Sequence, residues 1–280
     1  MTLLKGAELA AEIAETLPGR IAKLSRTPVL AIVRIGERPD DLAYERGAKK
    51  RMEKLGLRAE TFAFPAEIGE NDFLREFDRI NRDPGIDGIL LMRPLPDGIS
   101  GEKVLRVLDP AKDLDGISLT NMALVFRGDP CGFAPAVAEA AVRLLKTAKV
   151  PLRGSRVTIV GRSEVVGRPL ILLFLRENAT VTVCHTKTVD LPARCREADI
   201  LVSCAGRRNL IGKDCVKPGA VVVDVGINTD EEGKLCGDVN FDEVKELASM
   251  ITPVPGGVGS ATTSVLAEHL VAAAERRAHG

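Results

Sequence analysis

The chain has 280 residues, enough for one large domain or two medium ones, and its 45% hydrophobic content can fill a packed core and excludes global disorder. A formal net charge of +0 and 3% aromatic residues, with no tryptophan, argue against nucleic acid, an anionic membrane or a base-stacking platform as partner. The 6 cysteines form no C-x-x-C pair and the 3 histidines lie far apart, so no metal site is expected. Scattered cysteines, no apolar core of signal-peptide type and no membrane-length apolar run together predict a reduced, cytoplasmic protein.

Residues 5–24 read as an amphipathic helix leading into an apolar strand at Val29–Ile35. A helix over 40–55 stops at Gly56, a strand follows at 57–64, and a helix over 71–81 takes Asn71 as its cap. The strand at 88–92 enters the Pro94-Leu95-Pro96 turn, and 101–108 is a short helix. Such alternation predicts a mostly parallel sheet covered on both faces. An alanine- and leucine-rich helix over 135–147 connects to a second unit. Its strands are expected at 156–160, 180–184, 200–204 and 220–225, and it ends at Val258-Gly259-Ser260. A last alanine-rich helix spans 263–277.

The stretch 156–169 is the most informative. A β-branched strand breaks at Gly161, and Gly167 with Pro169 opens the next helix. Strand, glycine turn and helix bring backbone N–H groups up to a phosphate. The two glycines are six apart, unlike G-x-G-x-x-G, so spacing alone leaves a nucleotide site and an ordinary tight turn both open. After the second strand stand Thr186 and Lys187 where an NAD site usually carries an acid, and Arg162 lies in the first turn. A hydroxyl and cations favour a ribose phosphate, hence NADP over NAD.

Val160-Gly161-Arg162-Ser163 with Val166-Gly167-Arg168-Pro169, then Cys184-His185-Thr186-Lys187-Thr188, resembles the methylenetetrahydrofolate dehydrogenase–cyclohydrolase family. So do Lys217-Pro218-Gly219-Ala220, Asp224-Val225-Gly226-Ile227-Asn228, Gly237-Asp238-Val239 and Thr252-Pro253-Val254-Pro255-Gly256-Gly257-Val258-Gly259. The resemblance covers nearly the whole chain and is looser in the first half. It implies an α/β protein of two αβα domains, the C-terminal one Rossmann-like, with the active site in the inter-domain cleft. A discontinuous folate-binding catalytic domain, 1–138 plus 263–280, and an NADP-binding domain, 139–262, are expected. The implied function is oxidation of methylenetetrahydrofolate with NADP in one-carbon metabolism, by a homodimer acting on tetrahydrofolate derivatives.

Residue by residue, the resemblance assigns the folate to Tyr44, Asp115, Pro255, Gly256 and Gly257, with Tyr44 also catalytic, and the folate site is expected to include Met92 and Arg93, which depart from the family pattern. It assigns the cofactor to Gly161, Arg162, Ser163, Thr186 and Ile227. On the residues alone, Tyr44 could be a packing residue, Asp115-Gly116 a turn and Pro253–Gly259 a rigid connection. Asp115 has suitable chemistry, since a carboxylate takes two parallel hydrogen bonds from an amino-pyrimidinone edge.

Four departures from the family pattern stand out. Ala48 occupies the position of its catalytic lysine, one turn after Tyr44, and Met92 replaces the glutamine that bonds that lysine. Pro135-Ala136-Val137-Ala138 and Gly259-Ser260-Ala261-Thr262 differ without removing an obvious catalytic atom. Lys49 and Lys50 do not share the Tyr44 face, and Arg93 is either a surface cation or a site residue. The dehydrogenase is expected to be retained and the cyclohydrolase to be weak or absent. The alternatives are a bifunctional enzyme using Lys49, Arg93 or a water instead, an NADP-dependent dehydrogenase of another substrate, and a non-enzymatic NADP-binding protein.

Overall fold

In the computed structural model, which describes residues 1–279, the chain opens with strand β1 (Thr2–Leu3) and helix α1 (Gly6–Ile21). Next come β2 (Val29–Ile35), α2 (Pro39–Lys54), β3 (Arg58–Phe64), α3 (Glu70–Arg82) and β4 (Gly88–Leu91). Helices α4 (Gly101–Val107), α5 (Leu119–Arg127) and α6 (Ala136–Thr147) follow. Then β5 (Arg156–Val160), α7 (Gly167–Arg176), β6 (Thr180–Cys184), α8 (Leu191–Arg196), β7 (Ile200–Ser203) and β8 (Val221–Asp224) alternate. A short hairpin, β9 (Asn228–Thr229) and β10 (Leu235–Cys236), precedes α9 (Phe241–Val244), β11 (Met250–Ile251) and α10 (Val258–His279).

Two units result: Met1–Glu12 with Val137–Thr262, and Ile13–Ala136 with the chain from Thr263. In the second, β2 is central to the parallel order β3-β2-β4. Its continuous apolar run suits a strand covered on both faces, and only Arg34 is less than fully buried. Phe73, Phe77 and Ile80, at helical spacing on α3, pack against Val29, Ala31, Val33 and Leu91. Phe73 and Phe77 are stacked at 5.6 Å between ring centroids.

The other unit holds a six-stranded, all-parallel sheet of order β1-β11-β8-β7-β5-β6. β7 and β8 are buried along their full length, as central parallel strands must be. Residues 1–12 sort with this sheet, whereas the sequence reading grouped 1–138. The reason is β1, whose Thr2 and Leu3 pair with Met250 and Ile251 at the sheet edge.

Two smaller expectations are corrected. Asn71 does not cap α3; Gly69 is the N-cap, because Phe73 N–H already bonds Gly69 O at 2.9 Å and Asn71 lies inside the first turn. The last helix starts at Val258 rather than 263, and within its first turns Ser260 and Thr262 satisfy their hydroxyls on carbonyls at 256–258. Among the described residues no helix is long and apolar enough to cross a membrane, and no group of three or more His, Cys, Asp or Glu side chains could hold a metal ion.

Candidate functional site

In the six-stranded sheet the strands of the βαβ series lie in the order β6-β5-β7-β8-β11. The direction of winding reverses between β5 and β7, and ligands of open parallel sheets bind at such a reversal, beyond the strand carboxyl ends. Gly161 stands there. Its φ is +133°. A Cβ on it would lie 2.6 Å from both the carbonyl oxygen and the sulfur of Cys204, so the loops after β5 and β7 meet backbone to backbone. Gly167 is equally constrained, its Cβ position falling 2.5 Å from Gly161 O. This is a cradle that any side chain would fill.

Ser163 Oγ accepts from the N–H groups of Val166 and Gly167 at 3.2 and 3.4 Å, so it shapes the start of α7. β6 pairs with β5 in the register Val160↔Cys184, and Gly161 N–H donates to Cys184 O at 2.9 Å. Exposed Thr186 therefore follows directly on the neighbouring strand end, beside exposed Arg162. The Thr186 turn is closed by Thr188, whose Oγ1 accepts from His185 N–H at 2.8 Å. Ile227, three residues past β8, is 69% exposed. Pro255, Gly256 and Gly257 also belong to this unit, and Gly6 N–H donates to Gly256 O at 3.0 Å.

Two buried carboxylates, to which the sequence reading gave no role, organise the loops here. Asp238 Oδ2 accepts from Ser203 Oγ, Ala205 N–H and Gly206 N–H at 2.9, 2.7 and 3.2 Å. Its Oδ1 accepts from Arg207 N–H and Asn228 Nδ2 at 2.8 and 3.0 Å. Consecutive N–H groups around a left-handed glycine, Gly206 at φ +64°, make an anion-binding nest, and the chain fills it with its own carboxylate. Asp224 accepts from Gly226, Asp238 and Val239 N–H at 2.9–3.0 Å. Burial, with Asp238 close by, pushes its carboxyl up to about 6 despite those bonds. The donors come from three separate stretches, so no local pattern reveals them.

In the other unit, Tyr44 sits half-buried on α2 and Ala48, one turn on, has no exposed surface. Met92 is buried and extends the β4 ladder, its N–H donating to Val33 O at 2.8 Å. Lys49 is committed elsewhere: its Nζ lies 2.8 Å from Glu45 Oε1. Glu45 also accepts from Arg34 Nε at 2.9 Å and Thr61 Oγ1 at 2.6 Å. Burial alone would raise the Glu45 carboxyl; Lys49, Thr61 and Arg34 outweigh it and hold the group near about 2.

Asp115 has Oδ1 bonded by Ala136 N–H at 3.0 Å, while among the described residues nothing donates to Oδ2. Burial raises its carboxyl, and the Ala136 bond and the Arg93 charge oppose that rise. Burial and the Asp115 charge push the Tyr44 phenol up, so Tyr44, Asp115 and Arg93 share one neighbourhood. Arg93, half-buried, makes no hydrogen bond or ion pair among the described residues. The Asp115 loop is rigid. Asp113 accepts from Ile117 N–H, Ser118 N–H and Asn121 Nδ2 at 2.7–3.0 Å, and His269 Nδ1 bonds Leu114 O at 2.8 Å. Gly116 has φ +61° and a Cβ there would run into Phe133 O, so the Asp-Gly turn and the position of the Asp115 carboxylate are one feature. The open Asp115 oxygen, the Tyr44 ring and the Arg93 guanidinium can bind and orient a flat hydrogen-bonding ring. The position one turn beyond Tyr44 supplies no ammonium.

Residues 4–115 match the family model for the tetrahydrofolate dehydrogenase/cyclohydrolase catalytic domain, and residues 135–278 match that for its NAD(P)-binding domain. The bifunctional protein FolD of Carboxydothermus hydrogenoformans is 48% identical over 277 residues, 97% of this chain and 96% of that one. The crystal structure of the bifunctional enzyme FolD from Campylobacter jejuni superposes with a TM-score of 0.95 at 38% identity, covering 99% of each chain. FolD of Trypanosoma brucei, solved with NADP cofactor and inhibitor, gives 0.94 at 32% identity over 100% of this chain and 99% of that one.

Proposed function

Because this chain belongs to the tetrahydrofolate dehydrogenase/cyclohydrolase family, we propose that it oxidises methylenetetrahydrofolate to methenyltetrahydrofolate with NADP, and that its cyclohydrolase activity is weak or absent. Hydride leaves the methylene carbon and NADP, when bound, accepts it. The folate nitrogen lone pair stabilises the resulting cation, so the step needs no acid or base from the protein. What it needs is two rings held face to face at near-attack distance. Asp115 grips the amino-pyrimidinone edge, Tyr44 stacks on and orients the folate, and Met92 gives it an apolar wall. Pro255, Gly256 and Gly257 offer backbone to the folate. Gly161, Arg162, Ser163, Thr186 and Ile227 hold the cofactor, with Arg162 and Thr186 at its ribose phosphate.

The cyclohydrolase step adds water to the methenyl carbon and protonates a ring nitrogen. A positioned acid or base is worth on the order of 100- to 10,000-fold there. One observation carries the proposed loss: position 48 is a fully buried methyl group, while the adjacent Lys49 ammonium is paired with Glu45. The experiment supplies methenyltetrahydrofolate and follows its absorbance. Hydrolysis is expected to lie far below the dehydrogenase rate; comparable rates would overturn the reading. That outcome would favour a second reading, in which the unpaired Arg93 or a water replaces the lysine, as the bifunctional name of the relatives suggests. We further propose a cytoplasmic homodimer, the first term supported by free thiols at all six cysteines.

A further inference from the structure

We propose that Cys184 and Cys195 form a reversible disulfide when a hydroperoxide reaches them, and that the bond weakens NADP binding. The second half rests on the placement of the cofactor's ribose phosphate at Thr186 given above. Cys184, Cys195 and Cys215 are 1%, 1% and 2% exposed and share one apolar cluster with Val160, Leu201 and Val222. They come from three elements: the last residue of β6, the end of α8, and the 3-10 turn Lys213–Cys215. α8 packs on both β6 and that turn. The Cys195 thiol lies within hydrogen-bonding reach of the sulfurs on either side of it.

A thiol buried in apolar surroundings is ordinarily inert, because burial favours the protonated form. Cys184 differs. Hydrogen bonds from the Cys195 thiol and the Thr188 hydroxyl pull its thiol down to about 7 against burial. Thr188 Oγ1 accepts from His185 N–H, so its own O–H is free to donate to the sulfur. Cys195, the donor to its neighbours, is pushed up. Cys215 is also lowered by Cys195, but the adjacent Asp214 carboxylate counteracts this. Cys184 is therefore the attacking sulfur and Cys195 the resolving one. The Cys184 thiolate attacks the O–O bond, becomes a sulfenic acid and releases the other oxygen, which takes up the thiol's proton and leaves as water. The Cys195 sulfur then attacks the sulfenic sulfur, and its proton departs with the hydroxyl as a second water. The two thiols give up two electrons, and the peroxide takes them.

The cover over these thiols is light. α8 has 6 residues, and its cap Asp190 has φ +52°, a left-handed conformation that costs any residue but glycine. The cap bond, from Ala193 N–H to Asp190 Oδ1, is 3.3 Å long. A helix held in this way opens locally more readily than the sheet beneath it, and that opening admits a peroxide. The ring closed by the new bond runs through residues 185–194 and contains the whole Thr186 turn. Replacing a hydrogen-bonding contact by an S–S bond of about 2 Å draws α8 toward the end of β6. It also takes the Cys184 thiolate away from Thr188, the residue whose Oγ1 closes the Thr186 turn. The turn shifts, and the ribose phosphate loses its fit.

The test treats the reduced full chain with hydrogen peroxide, quenches it with catalase, and divides it between tandem mass spectrometry and NADP titration. A Cys184–Cys195 cross-link is expected, with an NADP Kd about tenfold weaker that recovers in dithiothreitol. Cys195→Ala should keep the reduced-state Kd and lose the response to peroxide, while Cys215→Ala should respond as the unsubstituted chain does. No cross-link, a cross-link of Cys195 to Cys215 instead, or an equal loss of affinity in Cys195→Ala would overturn the proposal. So would a Cys184–Cys195 bond that leaves the Kd unchanged, or a loss that persists in dithiothreitol, which is over-oxidation of a thiol. If the reduced chain binds no NADP, the cofactor reading fails and takes the effect on binding with it, whereas the cross-link stands or falls on the mass spectra alone.

Discussion

The loop after β5 and the stretches after β2 and β4 that hold Tyr44, Ala48 and Met92 both follow the carboxyl ends of parallel strands, and they are built in opposite ways. Around Gly161 the backbone is pinned from every side: by Cys204, by the start of α7, and through Asp238 and Asp224, which bind the N–H groups of the neighbouring loops. Around Ala48 the polar pair expected from the family pattern is replaced by a methyl group and a thioether, both buried. A methionine needs no partner, whereas a glutamine at the buried position 92 would need one for its amide. The first region leaves almost no room for a change in shape, while the second packs two apolar side chains where the family pattern implies polar ones.

The largest test of this contrast is to restore the second region. Ala48→Lys together with Met92→Gln should raise cyclohydrolase turnover on the order of 100-fold, with the dehydrogenase rate falling by less. Ala48→Lys alone should lower the melting temperature, because it forces a long charged side chain into the place of a fully buried methyl group. If the double variant folds and gains no hydrolysis of methenyltetrahydrofolate, the missing lysine is not what limits that step.

A matched pair of glycine substitutions probes shape. Gly161→Ala sets a Cβ 2.6 Å from a backbone carbonyl at φ +133° and should weaken NADP binding on the order of 100-fold. Gly47→Ala, on α2 next to Ala48, meets nothing within 4 Å and should stabilise the fold by about 0.5–1 kcal/mol. Cofactor titration and thermal melts of the two variants check this, and similar behaviour in both would erase the contrast.

The smallest effect is in pH dependence. Glu45, held near about 2 against an ordinary carboxylate value of 4.5, contributes stability that is complete above pH 4.5 and lost as pH falls from there toward about 2. Asp224, raised from 3.8 to about 6, acts with the opposite sign. Its folded form binds the proton more tightly, so stability rises as pH falls from about 6 to 3.8 and is flat above. Melts of the unsubstituted chain and Glu45→Gln between pH 7 and 3 should show the variant losing less on the acid side. Identical acid limbs would mean the Glu45 cluster adds no net stability.

Much of the scaffold is legible in the residue order. The strands Val29–Ile35 and Arg156–Val160 fall where continuous β-branched runs place them, because a buried parallel strand needs no alternation and stops at the next glycine, while Thr180–Cys184, at the sheet edge, alternates exposed Thr with half-buried Val. Helix ends are less legible. Gly69 rather than Asn71 caps α3, and α10 extends back to Val258, since hydrogen bonds from a few nearby residues decide a terminus and several neighbours compete for them.

The order of residues by itself determined the alternation of strands and helices, the glycine turn after β5 and the absence of a side-chain amine at position 48. These are local properties, set by side-chain volume, backbone freedom and hydrophobic run length. Only the tertiary structure decided that Thr2 and Leu3 close the edge of a sheet whose other strands lie more than 150 residues away, that Lys49 is bound to Glu45, and that Asp238 anchors loops from β7 and β8. A buried charge takes whatever donors the folded chain brings within reach, and that choice exists only once distant segments have met.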